Sequence, residues 1–265
     1  MDFTAVGKTD RGLVRVNNED EFYLDEKLGL LVVADGMGGH ASGEVASKLA
    51  VNVIRDYFQG PQKLIGRSNP AYSEATNKLN CAIRLANQAV YEVAQSSPVL
   101  KGMGTTIVAV LLTGNKLSIA HIGDSRAYLI RAGNIDQLTD DHTMVNEQVR
   151  RDIITKEEAD RSEMKNVLTK ALGISAKMEA DLDELTMFGD DTLFLCTDGL
   201  NTMVTDEAVL KIIAHTGDDF GAACDLLIDA ANKEGGKDNI TVVIGHIKKK
   251  KWYAALFKFL EFFRR

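Results

Sequence analysis

The sequence predicts an α+β fold in which helices cover a sheet or a pair of sheets. Three observations carry that reading. Apolar runs of strand length stand beside an acidic residue with Gly or Asn, segments of helical period lie between them, and the order is strands, helices, then strands again rather than regular βαβ alternation. At 265 residues, with 45% hydrophobic and 26% charged side chains, the chain has enough apolar material for one large domain.

Residues 28–33 precede Asp35-Gly36, 117–122 precede Gly123-Asp124, 192–196 precede Asp198-Gly199, and 240–247 follow Asp238-Asn239. Each run reads as a buried strand bounded by turn residues. Residues 44–58 place Val45, Leu49, Val53, Ile54 and Tyr57 on one helical stripe, and 73–95 do the same with Leu79, Ile83, Ala86, Val90 and Val93. Residues 206–215 and 220–233 read as two further helices, the second stopped by Gly235-Gly236. The polar stretch 140–166, with a helix-like piece at 156–161, is expected to be a flap beside the acids. The expected organisation is a domain over residues 1–247 and a tail over 248–265.

A net charge of −7 excludes a nucleic-acid binder, whose affinity rests on clustered Lys and Arg. Cys81, Cys196 and Cys224 are widely spaced and odd in number, so no disulfide and no Cys-rich zinc site is expected. With no signal-peptide pattern and no apolar run long enough to span a bilayer, a cytoplasmic monomer is expected. The tail joins a run of four lysines, Lys248, Lys249, Lys250 and Lys251, to Trp252, Leu256, Phe257, Phe259, Leu260, Phe262 and Phe263. As a helix it suits an anionic membrane surface at the inner face, a partner groove, or the domain's own surface.

The chemistry lies in the acids Glu19, Asp20, Asp35, Asp124, Asp198 and Asp238. A single Asp-Gly pair is ordinarily just a turn. Several, each flanking a long apolar run, are what a sheet would gather at one rim. Gathered carboxylates repel one another, and a divalent cation pair removes that cost. Hard oxygen donors favour Mg²⁺ or Mn²⁺ over Zn²⁺. Two such cations sharing a carboxylate polarise a water for in-line attack on phosphorus and stabilise the charge that develops on the phosphoryl oxygens. Arg15, just before the acidic pair, has the planar fork that clamps a phosphate, and His40 in the Gly-rich loop is a candidate proton donor to the leaving oxygen.

The segments RVNNED from Arg15, ADGMGGH from Ala34, GMGTT from Gly102, GDSR from Gly123, TDDH from Thr139, CTDGL from Cys196 and GKDNIT from Gly236 resemble, in order, the motifs of the metal-dependent type 2C (PPM) protein phosphatases in their bacterial form. The resemblance covers residues 3–247. It implies a β-sandwich of two antiparallel sheets flanked by helices and hydrolysis of phosphoserine and phosphothreonine. It also implies a metal pair bridged by Asp35 and completed by the Gly36 carbonyl, Asp198 and Asp238. Glu19 and Asp20 would hold metal-bound waters, Asp124 with Asp198 a third and weaker metal, and Arg15 the substrate phosphate. A Hanks-type Ser/Thr kinase and its phosphorylated substrates are the implied partners.

Two departures qualify the resemblance. Met37 replaces the histidine that eukaryotic members carry, leaving the acid role to His40, to a metal-bound water or to no group. In the flap, Asp152 stands where glycine is common, and Arg161-Ser162 where His-Pro is common. A scaffold that has lost catalysis would lack core acids, and an anti-sigma-factor antagonist phosphatase would bring a sensor domain and more divergent motifs; neither pattern is seen in the sequence.

Overall fold

The computed structural model describes residues 2–38, 42–65 and 68–248. In chain order these form β1 (Asp2–Asp10), β2 (Asp20–Asp25), β3 (Leu30–Met37), α1 (Ser42–Gln59), α2 (Glu74–Ser96), a short β4 (Gly104–Thr105), β5 (Ile107–Thr113), β6 (Lys116–Ile122), β7 (Arg126–Arg131), β8 (Asn134–Gln137), α3 (Met144–Arg150), α4 (Lys156–Asp160), β9 (Asp181–Thr186), β10 (Thr192–Cys196), α5 (Asp198–Asn201), α6 (Asp206–Thr216), α7 (Phe220–Lys233) and β11 (Ile240–Lys248). His40 and residues 249–265 lie outside the described residues, and with them the expected proton donor and nearly all of the tail.

Strand alternation explains the layering. In β3, Leu30, Val32 and Ala34 pack under α1 and α2, while Leu31 and Val33 face the opposite sheet. In β10, Phe194 and Cys196 face the helical side formed by α6 and α7, while Leu193 and Leu195 face the inter-sheet core. Strands buried on both faces read as continuous apolar runs, which is why these two were legible in the sequence. One antiparallel sheet runs β1-β11-β10-β7-β8 and the other β2-β3-β5-β6-β9, with β4 pairing β3. The result is helices, sheet, sheet, helices, as the type 2C resemblance implies.

The sequence placed Ile54 correctly in α1 but set the buried face off-centre, with Val45 outside it. Its inward residues are Ala46, Ala50, Val51, Ile54 and Phe58, whereas Val45 is 38% exposed and Leu49, Val53 and Tyr57 are only partly covered. The inner face mixes Ala46, Ser47 and Ala50 with Val51, Ile54 and Phe58, and the small residues among them carry little weight in a count of hydrophobic periodicity. The α2 stripe is as expected, with Leu79, Ile83, Ala86 and Val90 buried and Val93 at its edge.

The flap region contains α3 and α4, the latter opened by a reciprocal capping box between Thr155 and Glu158. Asp152 between them has φ +55°, a left-handed backbone that glycine adopts freely and Asp tolerates. That is the physical reason a glycine suits this position. Among the described residues no helix is long and apolar enough to cross a membrane.

The α1 assignment is testable by urea denaturation. Ile54→Ala is expected to cost about 2–5 kcal/mol, and Val45→Ala no more than about 0.5 kcal/mol. Equal losses at the two positions would overturn the observed face.

Candidate metal centre and catalytic cleft

The fold brings the five aspartates to one end of the sandwich. Asp20 opens β2 and pairs in register with Asp35 in β3. Asp124 sits in the β6–β7 turn, Asp198 begins α5 at the end of β10, and Asp238 immediately precedes Asn239 and β11. The glycines after Asp35 and Asp198 are not turn residues as the sequence suggested, because Gly36 continues β3 and Gly199 lies in α5. Both permit close backbone approach. A Cβ on Gly36 would lie 2.2 Å from the Gly43 carbonyl oxygen, and one on Gly199 would lie 1.9 Å from that of Asn239.

Asp35, Asp20 and the Glu19 segment are fixed by threonines and an asparagine for which the sequence suggested no role. The Asp35 N–H donates to Thr106 Oγ1 at 3.0 Å, and the Asp35 carbonyl accepts from the Thr106 N–H and the Thr105 hydroxyl, both at 2.8 Å. Asp20 Oδ2 accepts from the Thr197 and Thr241 hydroxyls at 2.8 and 2.6 Å, tying β2 of one sheet to β11 of the other and to the residue that follows β10. Asn239 Oδ1 accepts from the Glu19 N–H at 2.8 Å, and its amide donates to the carbonyls of Arg11 and Asn17 at 2.9 Å each. The loop carrying Arg15 is thereby pinned beside Asp238. These threonines and the asparagine lie next to or within the acidic motifs, and that adjacency was the available signal.

A cleft of about 970 Å³ opens over the cluster, lined by Arg15, Glu19, Asp35, Gly36, Met37, Thr106, Asp124, Asp198 and Asp238, and by Asn166, Lys170 and Ile174. Asp20 does not line it and stands behind, buried. Arg15 Nη2 donates to Asp238 Oδ2 at 2.6 Å, which takes one of the five guanidinium donors. A second cleft of about 640 Å³ runs beneath the flap and shares Asp124, Asn166 and Asp198 with the first. Lys170 and Asn166 had no signal in the sequence.

The electrostatics demand a counter-charge. Burial, then the charges of Asp20, Asp198, Asp124 and Asp238, hold the Asp35 carboxyl well above its ordinary range. Burial is also the leading cause for Asp20, raised to about 7, Asp124, raised to about 8, and Asp198, raised to about 6. Asp35 beside it works the other way on Asp198 and draws its carboxyl partly back down. Asp20 Oδ1 and Asp198 Oδ1 are buried with no hydrogen-bond partner. Oxygen donors in this density, some of them unpartnered, fit hard divalent cations.

A second titratable cluster lies behind Asp124, where His121, His142 and Asp181 approach one another. The two imidazoles are stacked with centroids 4.8 Å apart and planes 4° from parallel, so their in-plane lone pairs do not converge on one point. The Lys170 ammonium already stands beside them, 2.8 Å from Asp181 Oδ1 and 3.2 Å from His142 Nε2. That arrangement is a charge network rather than a metal site.

Comparison with known proteins agrees with this geometry. The family model for protein phosphatase 2C matches residues 14–239. The chain is 39% identical over 240 residues to the serine/threonine phosphatase stp of Listeria innocua, covering 89% of this chain and 93% of that one. The crystal structure of the Mycobacterium tuberculosis serine/threonine phosphatase PstP/Ppp superposes with a TM-score of 0.83 at 36% identity, covering 93% of this chain and 99% of that one. The catalytic domain of PstP in complex with two manganese ions gives a TM-score of 0.81 at 36% identity, with the same coverage.

The raised carboxyls make a stability prediction for protein stripped with EDTA. Their folded-state pKa values exceed the unfolded value, so their stabilisation is present below that value and is lost as pH rises through the folded ones. The melting temperature in EDTA is expected to fall between about pH 5 and about pH 8, and saturating Mn²⁺ to restore most at the upper end. A melting temperature in EDTA that is flat across that window would contradict the coupling.

Proposed function

We propose, since this chain belongs to the protein phosphatase 2C family and is a serine/threonine phosphatase of that type, that Asp35, Asp198 and Asp238 with the Gly36 carbonyl hold a pair of Mn²⁺ or Mg²⁺ ions. The observation that carries this assignment is the convergence of these carboxylates on one cleft beside Arg15. The relative solved with two manganese ions supports a cation pair. Asp124 with Asp198 is the expected third and weaker site, and Glu19 and Asp20 steady the water shell of the pair. Asp20 acts from behind, its Oδ2 committed to two threonine hydroxyls. When bound, the cations activate water for attack on phosphorus and neutralise charge on the phosphoryl oxygens.

The chain's own residues supply position. Arg15, half-exposed at the cleft wall and anchored through one nitrogen by Asp238, presents its remaining donors to two oxygens of a phosphate. Thr105 and Thr106 fix the Asp35 backbone from both its N–H and its carbonyl side, which keeps its carboxylate from yielding to its repelling neighbours. Asn239 holds the Arg15 loop at a set height over the acids. Val14, Val16 and Ile174 give the cleft apolar walls, which suits a phosphorylated side chain carried on a protein segment better than a free ion.

The phosphatase acts on phosphoproteins. A cognate Ser/Thr kinase is the proposed opposing enzyme, with residues 1–247 as the catalytic unit acting as a monomer and 248–265 as an appended tail for a membrane surface or partner. Whether a proton reaches the leaving oxygen from His40 or from water belongs to the same proposal.

On a phosphothreonine peptide, wild type is expected to release phosphate with Mn²⁺ and not with EDTA. Asp35→Ala and Asp198→Ala are each expected to lose roughly a hundredfold or more in kcat. Arg15→Ala should act mainly through a raised KM. Wild-type protein that binds Mn²⁺ yet releases no phosphate would favour a scaffold role instead.

A further inference from the structure

Gly123 has φ +105°, and a Cβ there would lie 2.6 Å from Thr106 Cβ, so the turn presenting Asp124 must be made by a residue with no side chain to hold it. It is held instead by one buried histidine. His142 Nδ1 accepts from the Gly123 N–H at 3.0 Å, and the His142 N–H donates to the Gly123 carbonyl at 3.0 Å. Both polar groups of Gly123 therefore end on the same residue.

The partners assign the ring proton. Because Nδ1 is an acceptor, the neutral imidazole carries its proton on Nε2, which faces Asp181 Oδ2 at 3.3 Å. The Lys170 ammonium, 3.2 Å from Nε2, can only donate and so makes no hydrogen bond to the protonated Nε2; its proton goes to the other oxygen of Asp181 at 2.8 Å. His121 stacks on one face of the ring and donates Nε2–H to the Asp140 carbonyl at 2.9 Å. The next residue, Thr143, caps α3 through its side chain, so the histidine also marks the base of the flap.

We infer that His142 is the positioning residue of Asp124: it sets the Gly123 peptide, and through it the carboxylate that faces Asp198, while Asp181 fixes its tautomer. The inference rests on the reading of Asp124 as a ligand of the weaker cation. A His that fixes a ligand-bearing turn without touching the metal acts on affinity at that one site and leaves the Asp35 pair in place.

Calorimetric titration of the full chain with Mn²⁺ tests this in wild type, Asp124→Asn, His142→Asn and His142→Gln, with thermal melts confirming folding. Asn places an acceptor oxygen where Nδ1 stands, and Gln places its polar end near Nε2. His142→Gln is expected to weaken the weakest Mn²⁺ site roughly tenfold or more, with His142→Asn recovering most of that loss. The stronger sites should be unchanged in both. If Asp124→Asn removes the weak site and His142→Gln does not, the positioning role is wrong and the ligand assignment stands. If Asp124→Asn leaves the titration unaltered, Asp124 is not a ligand and the inference falls with that assignment. Equal weakening by Asn and Gln would also overturn it, since only one of them restores the Gly123 bond.

Discussion

Mutual repulsion among carboxylates that the fold forces together is the constraint on which the rest of this structure depends. A sandwich of two antiparallel sheets delivers strand ends from both sheets to the same edge, so Asp20 and Asp35 from one meet Asp198 and Asp238 from the other. Left to themselves these groups would separate or take up protons. Separation is barred where neighbouring side chains bind the backbone, so without a cation the acids take up protons, as the raised Asp20, Asp124 and Asp198 carboxyls record. Thr105 and Thr106 grip Asp35, Thr197 and Thr241 grip Asp20, and Asn239 grips the loop opposite. The centre is thus a repelling charge set inside a neutral hydroxyl and amide frame, and the energy of the repulsion is what a divalent cation relieves on binding.

That frame also explains why the two sheets meet without slippage at this end. Most of the inter-sheet core is aliphatic, packed from Leu31, Val33, Leu193, Leu195 and Val243, and such contacts tolerate small displacements. The Asp20 carboxylate and its two threonine donors do not, since a buried charge that loses a hydrogen bond is costly. Apolar packing sets how strongly the sheets hold, and the polar knot sets their register relative to the cleft.

The chemistry was more legible in the sequence than the geometry. Long runs such as 192–196 and 240–247 announced their strands because both faces are buried, and the acids announced themselves by flanking those runs. β1 and β2 escaped notice because their side chains are mostly half-buried, leaving neither a continuous apolar run nor a clean alternation. The α1 face was set off-centre for a related reason: its inner side includes Ala46, Ser47 and Ala50, which hydrophobic periodicity undervalues. Gly36 and Gly199 were read as turn formers, yet their missing side chains serve close backbone contact, a purpose that shows only once the crossing segment is in place. His142 closed the TDDH segment but was given no role, because its partner Gly123 is distant in the chain, and Lys170 carried no local signal for the same reason, its partner being Asp181.

All three cysteines are buried, and burial pushes the Cys196 and Cys224 thiols up to about 12. Thiolate is the form that peroxide and alkylating agents attack, so these sulfurs are poor targets for either. Phosphatases whose nucleophile is an exposed, acidic thiol are switched off when a cell is oxidised. This chain has no such fuse. Its output would continue through oxidative stress and would instead follow the supply of free divalent cation, making the signal it erases subject to metal homeostasis rather than to redox state.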